Sequence, residues 1–135
     1  MLPDFEFTVT VDASVSPSED PKKVKEAAAN LVLGSKYELR EVEASVRLTT
    51  QDPRALWRLH EQLRDRHVRG AARRLLLRGT EGNISTLLIN RQAASAGIIV
   101  LCNSEPESPL GPLFMRIASE QLDQIIQWLT VYGEG

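Results

Sequence analysis

Two Asp-Pro pairs, Asp20-Pro21 and Asp52-Pro53, place the beginnings of two helices in this chain. An aspartate side chain accepts hydrogen bonds from the free amide groups of a helix start, and proline suits the first helical position because no amide hydrogen is needed there. After the first pair, apolar residues recur at helical spacing to about Val32. The predicted buried stripe of this helix comprises Val24, Ala27, Ala28 and Leu31.

The helix that begins at Pro53 changes its apolar phase partway along. Leu56, Leu59 and Leu63 share one face, but the next apolar set begins only at Val68. We therefore expect a kink or two consecutive helices, with a boundary within residues 64–69.

Strand patterns occupy most of the remaining chain. Residues 5–15 alternate between apolar and polar side chains, which predicts a half-buried strand. Residues 36–49 predict one long strand or two short ones, with an irregularity near 40–43. Further strands are predicted at 84–89, 98–102 and 113–118.

The last part of the chain adds two shorter signals. The small-residue segment 90–97 has room for one helical turn, and Ser119 is expected to cap a final helix. The resulting order of strands and helices favours an α+β fold, a mainly antiparallel sheet with helices packed on one face. The length of 135 residues predicts a single domain spanning 1–135.

The single cysteine and the absence of long apolar runs predict the compartment. Cys102 has no partner for an intrachain disulfide, and its apolar neighbours indicate a buried position in a reducing environment. No apolar run approaches the ~20 residues of a membrane span, and the acidic N-terminus lacks the pattern of a signal peptide. We expect a cytoplasmic protein without membrane contact.

The distribution of charge is strongly uneven. Residues 54–78 hold eight arginines and two acids, a balance of +6, whereas the rest holds eight basic and sixteen acidic residues, a balance of −8. Together they give the net charge of −2. A basic element on an acidic body predicts a directional electrostatic surface.

No residue pattern indicates an active site. His60 and His67 are seven residues apart, about 10 Å along a helix, which is too far for one metal ion, and we expect both at the surface or its boundary. No glycine-rich phosphate loop and no paired-carboxylate spacing is present. We therefore predict no catalytic residue, no metal site and no cofactor.

The arginines suit the binding of phosphate. Arg66, Arg69 and Arg73 form one stripe if their segment is a single helix, with Gln62 and Arg74 beside it. A guanidinium donates two parallel hydrogen bonds to a phosphate. The alternative is a face that is solvated or paired with acids of the body. Because the strand at 84–89 carries no aromatic residue, we expect recognition of shape and backbone rather than stacking of bases.

Several segments together resemble a known family. They are PSEDPKKVKEAAANL, LHEQLRDRHVRGAARRLLL, INRQAASAG, and ESPLGPLFMRI followed by QLDQIIQWL. In this order they resemble a small archaeal family of uncharacterised proteins, described as predicted RNA-binding proteins with a double-stranded-RNA-binding-domain-like fold. The resemblance covers nearly the whole chain. It implies a split β-α-β architecture akin to that of large-subunit ribosomal protein five, and a cytoplasmic setting.

The resemblance also implies a function and a site. The implied function is non-catalytic binding of structured RNA, such as ribosomal or transfer RNA. Contacts are expected along the basic run and in the turn before the small-residue segment, at Arg64, Arg66, Arg69, Arg73, Arg74, Arg91 and Gln92. The alternative is a protein–protein assembly module, including a homodimer in which the acidic body of one copy meets the basic helix of another.

Overall fold

The computed structural model of the protein describes residues 4–131 and confirms the α+β class. The strands are β1 (Thr8–Ser14), β2 (Glu38–Val42), β3 (Ser45–Thr50), β4 (Thr80–Glu81), β5 (Ile84–Ile89), β6 (Leu101–Cys102) and β7 (Leu113–Ala118). The helices are α1 (Pro21–Leu31), α2 (Trp57–Asp65), α3 (Arg69–Arg78), α4 (Arg91–Ser95) and α5 (Leu122–Thr130), with 3₁₀ turns at Pro53–Leu56 and Glu105–Glu107.

One antiparallel sheet contains these strands in the order β2-β3-β1-β7-β5-β4, and β6 also pairs with β5. Side chains alternate along each long strand between a buried and a more exposed face. Val11 pairs with Leu48 on one side and with Met115 on the other, and all three are buried. The apolar sides of the helices join this buried face, so the predicted arrangement of helices on one face of the sheet is confirmed.

The first helix forms as its sequence predicts. The side chain of Asp20 accepts a hydrogen bond of 3.0 Å from the amide of Lys22, and Pro21 occupies the first turn. The predicted stripe is buried throughout. Strands β2 and β3 are the two short strands expected within 36–49, and Glu43, with a φ of 55°, lies in the turn between them.

The second helical region is divided at the predicted boundary. Asp52 accepts a hydrogen bond of 2.9 Å from the amide of Arg54, although the first turn is 3₁₀ rather than α-helical. Helix α2 ends at Asp65 and α3 begins at Arg69. His67 adopts a φ of 54° between them, a left-handed conformation that interrupts the helix.

The strand predicted at 98–102 is wrong for its first three residues, because side chains of α2 take the place of a neighbouring strand. The Gln62 amide donates to the Gly97 carbonyl (2.8 Å) and accepts from the Ile99 amide (2.6 Å). Only Leu101–Cys102 joins the sheet. Cys102 itself is buried, as predicted, and burial raises the pKa of its thiol.

The prediction that Ser119 caps the final helix is wrong in detail. Helix α5 begins at Leu122 after an N-cap at Gln121. The Ser119 hydroxyl accepts from the Gln121 amide (2.9 Å) and donates to the Glu6 carbonyl (2.6 Å), so it ties the helix start to the beginning of the chain. The apolar stripe of this helix is buried, as predicted.

Two glycines of the α3 region differ in the space around them. A Cβ at Gly79 would lie 2.2 Å from the carbonyl oxygen of Thr86, because the helix end packs directly on the backbone of β5. A Cβ at Gly70 would meet nothing within 4 Å. Gly79 therefore permits a close approach of backbones that no other residue allows.

We predict opposite effects of alanine at these positions. Gly79→Ala lowers the free energy of unfolding by about 1–3 kcal/mol, because the new methyl group overlaps a backbone carbonyl. Gly70→Ala raises it by about 0.5–1 kcal/mol, because alanine favours the helical conformation and the space is open. Urea denaturation of both variants checks this pair, and equal effects would contradict it.

Candidate nucleic-acid interface

Helix α3 presents a basic side to solvent. It buries Ala72, Leu75 and Leu76 against the core. Residues on the opposite side of the helix are exposed, and we call this the α3 surface: Gly70, Arg73, Arg74, Leu77 and Arg78. Leu77 is 50% exposed, and Arg73 and Arg74 lie one helical turn before it, with Arg78 next to it. The surface carries no acid, because the helix contains none.

The predicted stripe of Arg66, Arg69 and Arg73 does not exist as one helical row, because its single-helix condition fails. Arg66 is the C-cap of α2, and its Nη1 donates a hydrogen bond of 2.7 Å to the Ile99 carbonyl. Arg69 and Arg73 lie four residues apart on α3, where Arg69 is half-buried. The Nη1 atom of Arg73 is 3.4 Å from the Thr130 hydroxyl of α5.

Acidic neighbours balance the positive charge of other arginines in residues 54–78. Arg54 pairs with Asp52 at 2.8 Å, and this side-chain hydrogen bond lowers the pKa of the Asp52 carboxyl far below its usual range. Arg64 is exposed and lies 3.2 Å from the carboxylate of Asp65. The surplus positive charge therefore concentrates on α3.

Arg91 is structural, contrary to its predicted place in the interface. Its side chain is 4% exposed. Nη1 donates to both carboxylate oxygens of Glu19, at 2.9 and 3.0 Å, and to the Ser14 carbonyl at 2.6 Å, while Nε donates to the Gly111 carbonyl at 3.0 Å. The guanidinium thus joins β1, the approach to α1 and the loop before β7.

The turn around Arg91 is consequently not part of the candidate interface. Gln92 is exposed beside it, and Asn90 caps α4 by accepting a hydrogen bond of 2.9 Å from the Ala93 amide. Neither has a basic neighbour in the turn once Arg91 is buried. No sequence pattern indicates this burial, because the acid and the carbonyls that receive the guanidinium are 20 or more residues away along the chain.

We predict that Arg91→Ala lowers the free energy of unfolding by about 3–5 kcal/mol, because it leaves the carboxylate of Glu19, whose side chain is only 11% exposed, without its ionic partner. Gln92→Ala, at the neighbouring exposed position, changes it by no more than about 0.5 kcal/mol. Chemical denaturation of both variants checks this. A small effect at Arg91 would restore that residue as a candidate RNA ligand.

His60 is buried, and its predicted position at the surface or its boundary is wrong. Its ring stacks between Trp57 (centroids 5.5 Å apart) and Trp128 (4.3 Å), and the residue is 7% exposed. Burial, and next the charge of Arg64, lower the pKa of the imidazole. His67 is exposed at the α2–α3 corner. Within residues 4–131, no three His, Cys, Asp or Glu side chains are arranged to hold a metal ion.

The depressed pKa of His60 predicts a pH-dependent stability. Between its folded pKa and the unfolded value of about 6.5, the unfolded chain binds more protons. The His60 contribution is therefore complete above about pH 6.5 and is lost as pH falls through the folded pKa. Relative to a His60→Phe variant, the wild-type protein should lose stability from about pH 7 to pH 5 in urea titrations.

The matched control for this experiment is His67→Asn, which removes the exposed histidine of the α2–α3 corner and keeps a residue type that tolerates its left-handed backbone. Its unfolding free energy should follow the wild-type pH dependence. If the curves of wild type and His60→Phe run parallel, His60 is not the group responsible.

None of the helices in the described part of the chain has the length and hydropathy to cross a membrane.

The chain is similar to proteins from several archaea. It is 36% identical over 122 residues to a UPF0201 protein of Metallosphaera sedula, covering 90% of this chain and 85% of that protein. It is 37% identical over 123 residues to a UPF0201 protein of Pyrococcus abyssi, with coverages of 90% and 87%. A solved structure of an uncharacterised UPF0201 protein shares the fold, with a TM-score of 0.77, 22% identity and coverages of 95% and 96%. No protein-family model matches the chain.

Proposed function

The chain belongs to the archaeal UPF0201 family, and we propose that it is a non-catalytic RNA-binding protein that recognises structured RNA through the α3 surface. The observation that carries the proposal is the exposure of Arg73, Arg74 and Arg78 on a helix without acids. The resemblance to predicted RNA-binding proteins supports the same substrate class.

The spacing of the arginines suits a phosphate backbone. On the α3 surface, Arg74 and Arg78 form a pair at i and i+4, separated by about 6 Å along the helix axis, and Arg73 lies directly before Arg74. Successive phosphates of one nucleic-acid strand are separated by a similar step. Arg66 is also exposed at the α2–α3 corner, but its Nη1 atom binds the Ile99 carbonyl, so it is not counted in the α3 surface.

The composition of the α3 surface favours duplex over unpaired RNA. It holds arginines, one leucine and one glycine, and no aromatic ring on which a base could stack. Double-stranded RNA is recognised mostly through shape, phosphates and 2′-hydroxyl groups. A rigid helix with regularly spaced guanidinium groups provides contacts to phosphate without reading the base edges.

The proposal predicts salt-dependent binding to a blunt RNA duplex of about 20 base pairs. If four or five phosphates are neutralised, the logarithm of the association constant falls with the logarithm of salt concentration with a slope of about −3.6 to −4.5. Fluorescence anisotropy across a salt series measures this slope. Affinity that barely changes between low and moderate salt would remove the electrostatic basis of the proposal.

A charge-reversal variant tests the residues. Arg73→Glu, Arg74→Glu and Arg78→Glu together should abolish duplex binding while circular dichroism stays that of the wild type. The control reverses three exposed lysines outside α3, Lys22, Lys23 and Lys36, and therefore makes the same change in net charge. Equal losses in the two variants would show that net charge, and not α3, governs binding.

Homodimerisation through opposite charges is the second candidate. Asp4, Glu6 and Glu120 line one acidic concavity, and all three are exposed. This concavity is complementary in charge to the α3 surface of another copy. Sedimentation velocity at micromolar concentration and low salt separates the two candidates: a monomer that binds duplex RNA contradicts the dimer.

A further inference from the structure

The face of the sheet opposite the helices carries a cluster of three arginines, Arg40, Arg47 and Arg116. Its side chains alternate with the buried ones along the central strands β1 and β7, and they are partly exposed. The registers align one row across five strand positions: Arg40 pairs with Arg47, Arg47 with Asp12, Asp12 with Phe114, and Phe114 with Leu88. This row changes from basic at the β2 edge to apolar beyond the centre of the sheet.

Asp12 holds two guanidinium groups in place. Its Oδ1 accepts from Arg47 Nε at 2.6 Å, and its Oδ2 accepts from Arg116 Nη1 at 2.6 Å. One carboxylate thus balances only one of these two positive charges. Arg40 adds a third charge beside Arg47, and Glu38, two residues before Arg40 on the same face of β2, leaves a local surplus of one positive charge. The side chains of Arg47 and Arg116 remain 64% and 41% exposed. A guanidinium has five N–H donors, so each can bind a second anion while Asp12 fixes its position.

Phe114 places an aromatic ring beside these charges. The guanidinium carbon of Arg116 lies 5.7 Å from the ring centroid, within the range of a cation–π contact. Phe114 and Arg116 share a shallow concavity with Arg47, Asp12 and the small polar side chains of Thr10, Ser14 and Ser45. The surface therefore combines a partly exposed ring, preoriented cations and hydroxyl groups.

We propose that this outer-sheet surface, comprising Arg40, Arg47, Phe114 and Arg116 around Asp12, binds single-stranded nucleic acid. An unpaired base stacks on Phe114, and the arginines contact the phosphates next to it. Phe114 and Arg47 lie on strands separated by β1, and two strand spacings of ~4.8 Å place them roughly 10 Å apart. This distance matches the separation between a base stacked on Phe114 and the nearby phosphates of the same nucleic-acid strand.

Single-stranded nucleic acid fits the outer-sheet surface better than a duplex or an acidic peptide does. A duplex keeps its base faces stacked inside the helix, so a flat sheet surface with one ring cannot reach them. An acidic peptide satisfies the arginines but leaves the ring without a planar partner, whereas every nucleobase has a π-face. The outer-sheet surface and the α3 surface share no residue, so each can bind RNA independently of the other.

The test uses the full chain and a labelled oligouridine of about 12 nucleotides, measured by fluorescence anisotropy at ~0.15 M salt, where charges more than about 8 Å apart are largely screened. The wild-type protein should bind. Phe114→Ala should weaken binding at least about fivefold, and Phe114→Tyr should retain it within about twofold. Arg47→Gln with Arg116→Gln should weaken binding and reduce the salt slope by about 0.7 for each phosphate that is no longer neutralised.

Two controls separate this surface from others. Ile84→Ala removes an exposed apolar side chain from the same face, at the register of Ala118 and so four residues along the sheet from Phe114, and should bind oligouridine as the wild type does. The α3 charge-reversal variant should lose the RNA duplex but retain oligouridine, whereas Phe114→Ala should do the reverse. If one of the two proposals fails, the binding data for the other RNA probe can therefore still be interpreted.

The proposal is overturned if the wild-type protein does not bind oligouridine, or if Phe114→Ala binds it unchanged with its circular dichroism intact. It is also overturned if poly-glutamate displaces the labelled strand as effectively as unlabelled oligouridine does, because the surface then recognises an acidic protein segment.

Discussion

One-sided burial of the antiparallel sheet is the constraint on which the rest of this structure depends. The central strands β1 and β7 pair along their lengths and bury Val9, Val11, Met115 and Ile117 on the same side. Every helix that packs on the sheet must use that side, because only there does it remove apolar surface from water. The sheet consequently separates two surfaces of different chemistry. The α3 surface carries guanidinium groups on a helix, and the outer-sheet surface carries an aromatic ring beside arginines that Asp12 holds in place.

Arginine serves three distinct purposes within this frame. Arg91 is buried and connects segments that are far apart in the chain. Arg58 and Arg66 donate from α2 to the carbonyls of Gly97 and Ile99, and so replace a missing strand partner. Arg73 and Arg74 remain exposed on α3. The number of arginines in the basic segment therefore overstates the charge available to a polyanion.

The two proposed surfaces differ in what they demand of RNA. The α3 surface offers evenly spaced cations on a rigid helix, which suits the regular backbone of a duplex. The outer-sheet surface offers Phe114 beside Arg116 and Arg47, which suits a base freed from its stack. A structured RNA contains both elements wherever a helix ends in a loop.

The sequence by itself determined part of the local structure of this protein: where α1 begins, that the second helix divides near His67, and which side of the first strand is buried. These features follow from interactions within a few residues, such as the Asp20 cap and the period of apolar side chains. Only the tertiary structure decided that Arg91 meets Glu19 and that Phe114 lies beside Arg116 near the centre of the sheet. It also decided that the side chain of Gln62 hydrogen-bonds the backbone of Ile99 where a neighbouring strand was expected to pair. The physical reason is that a guanidinium can donate to a carboxylate, a carbonyl or a phosphate, and which of these it meets depends on distant segments that only folding brings together.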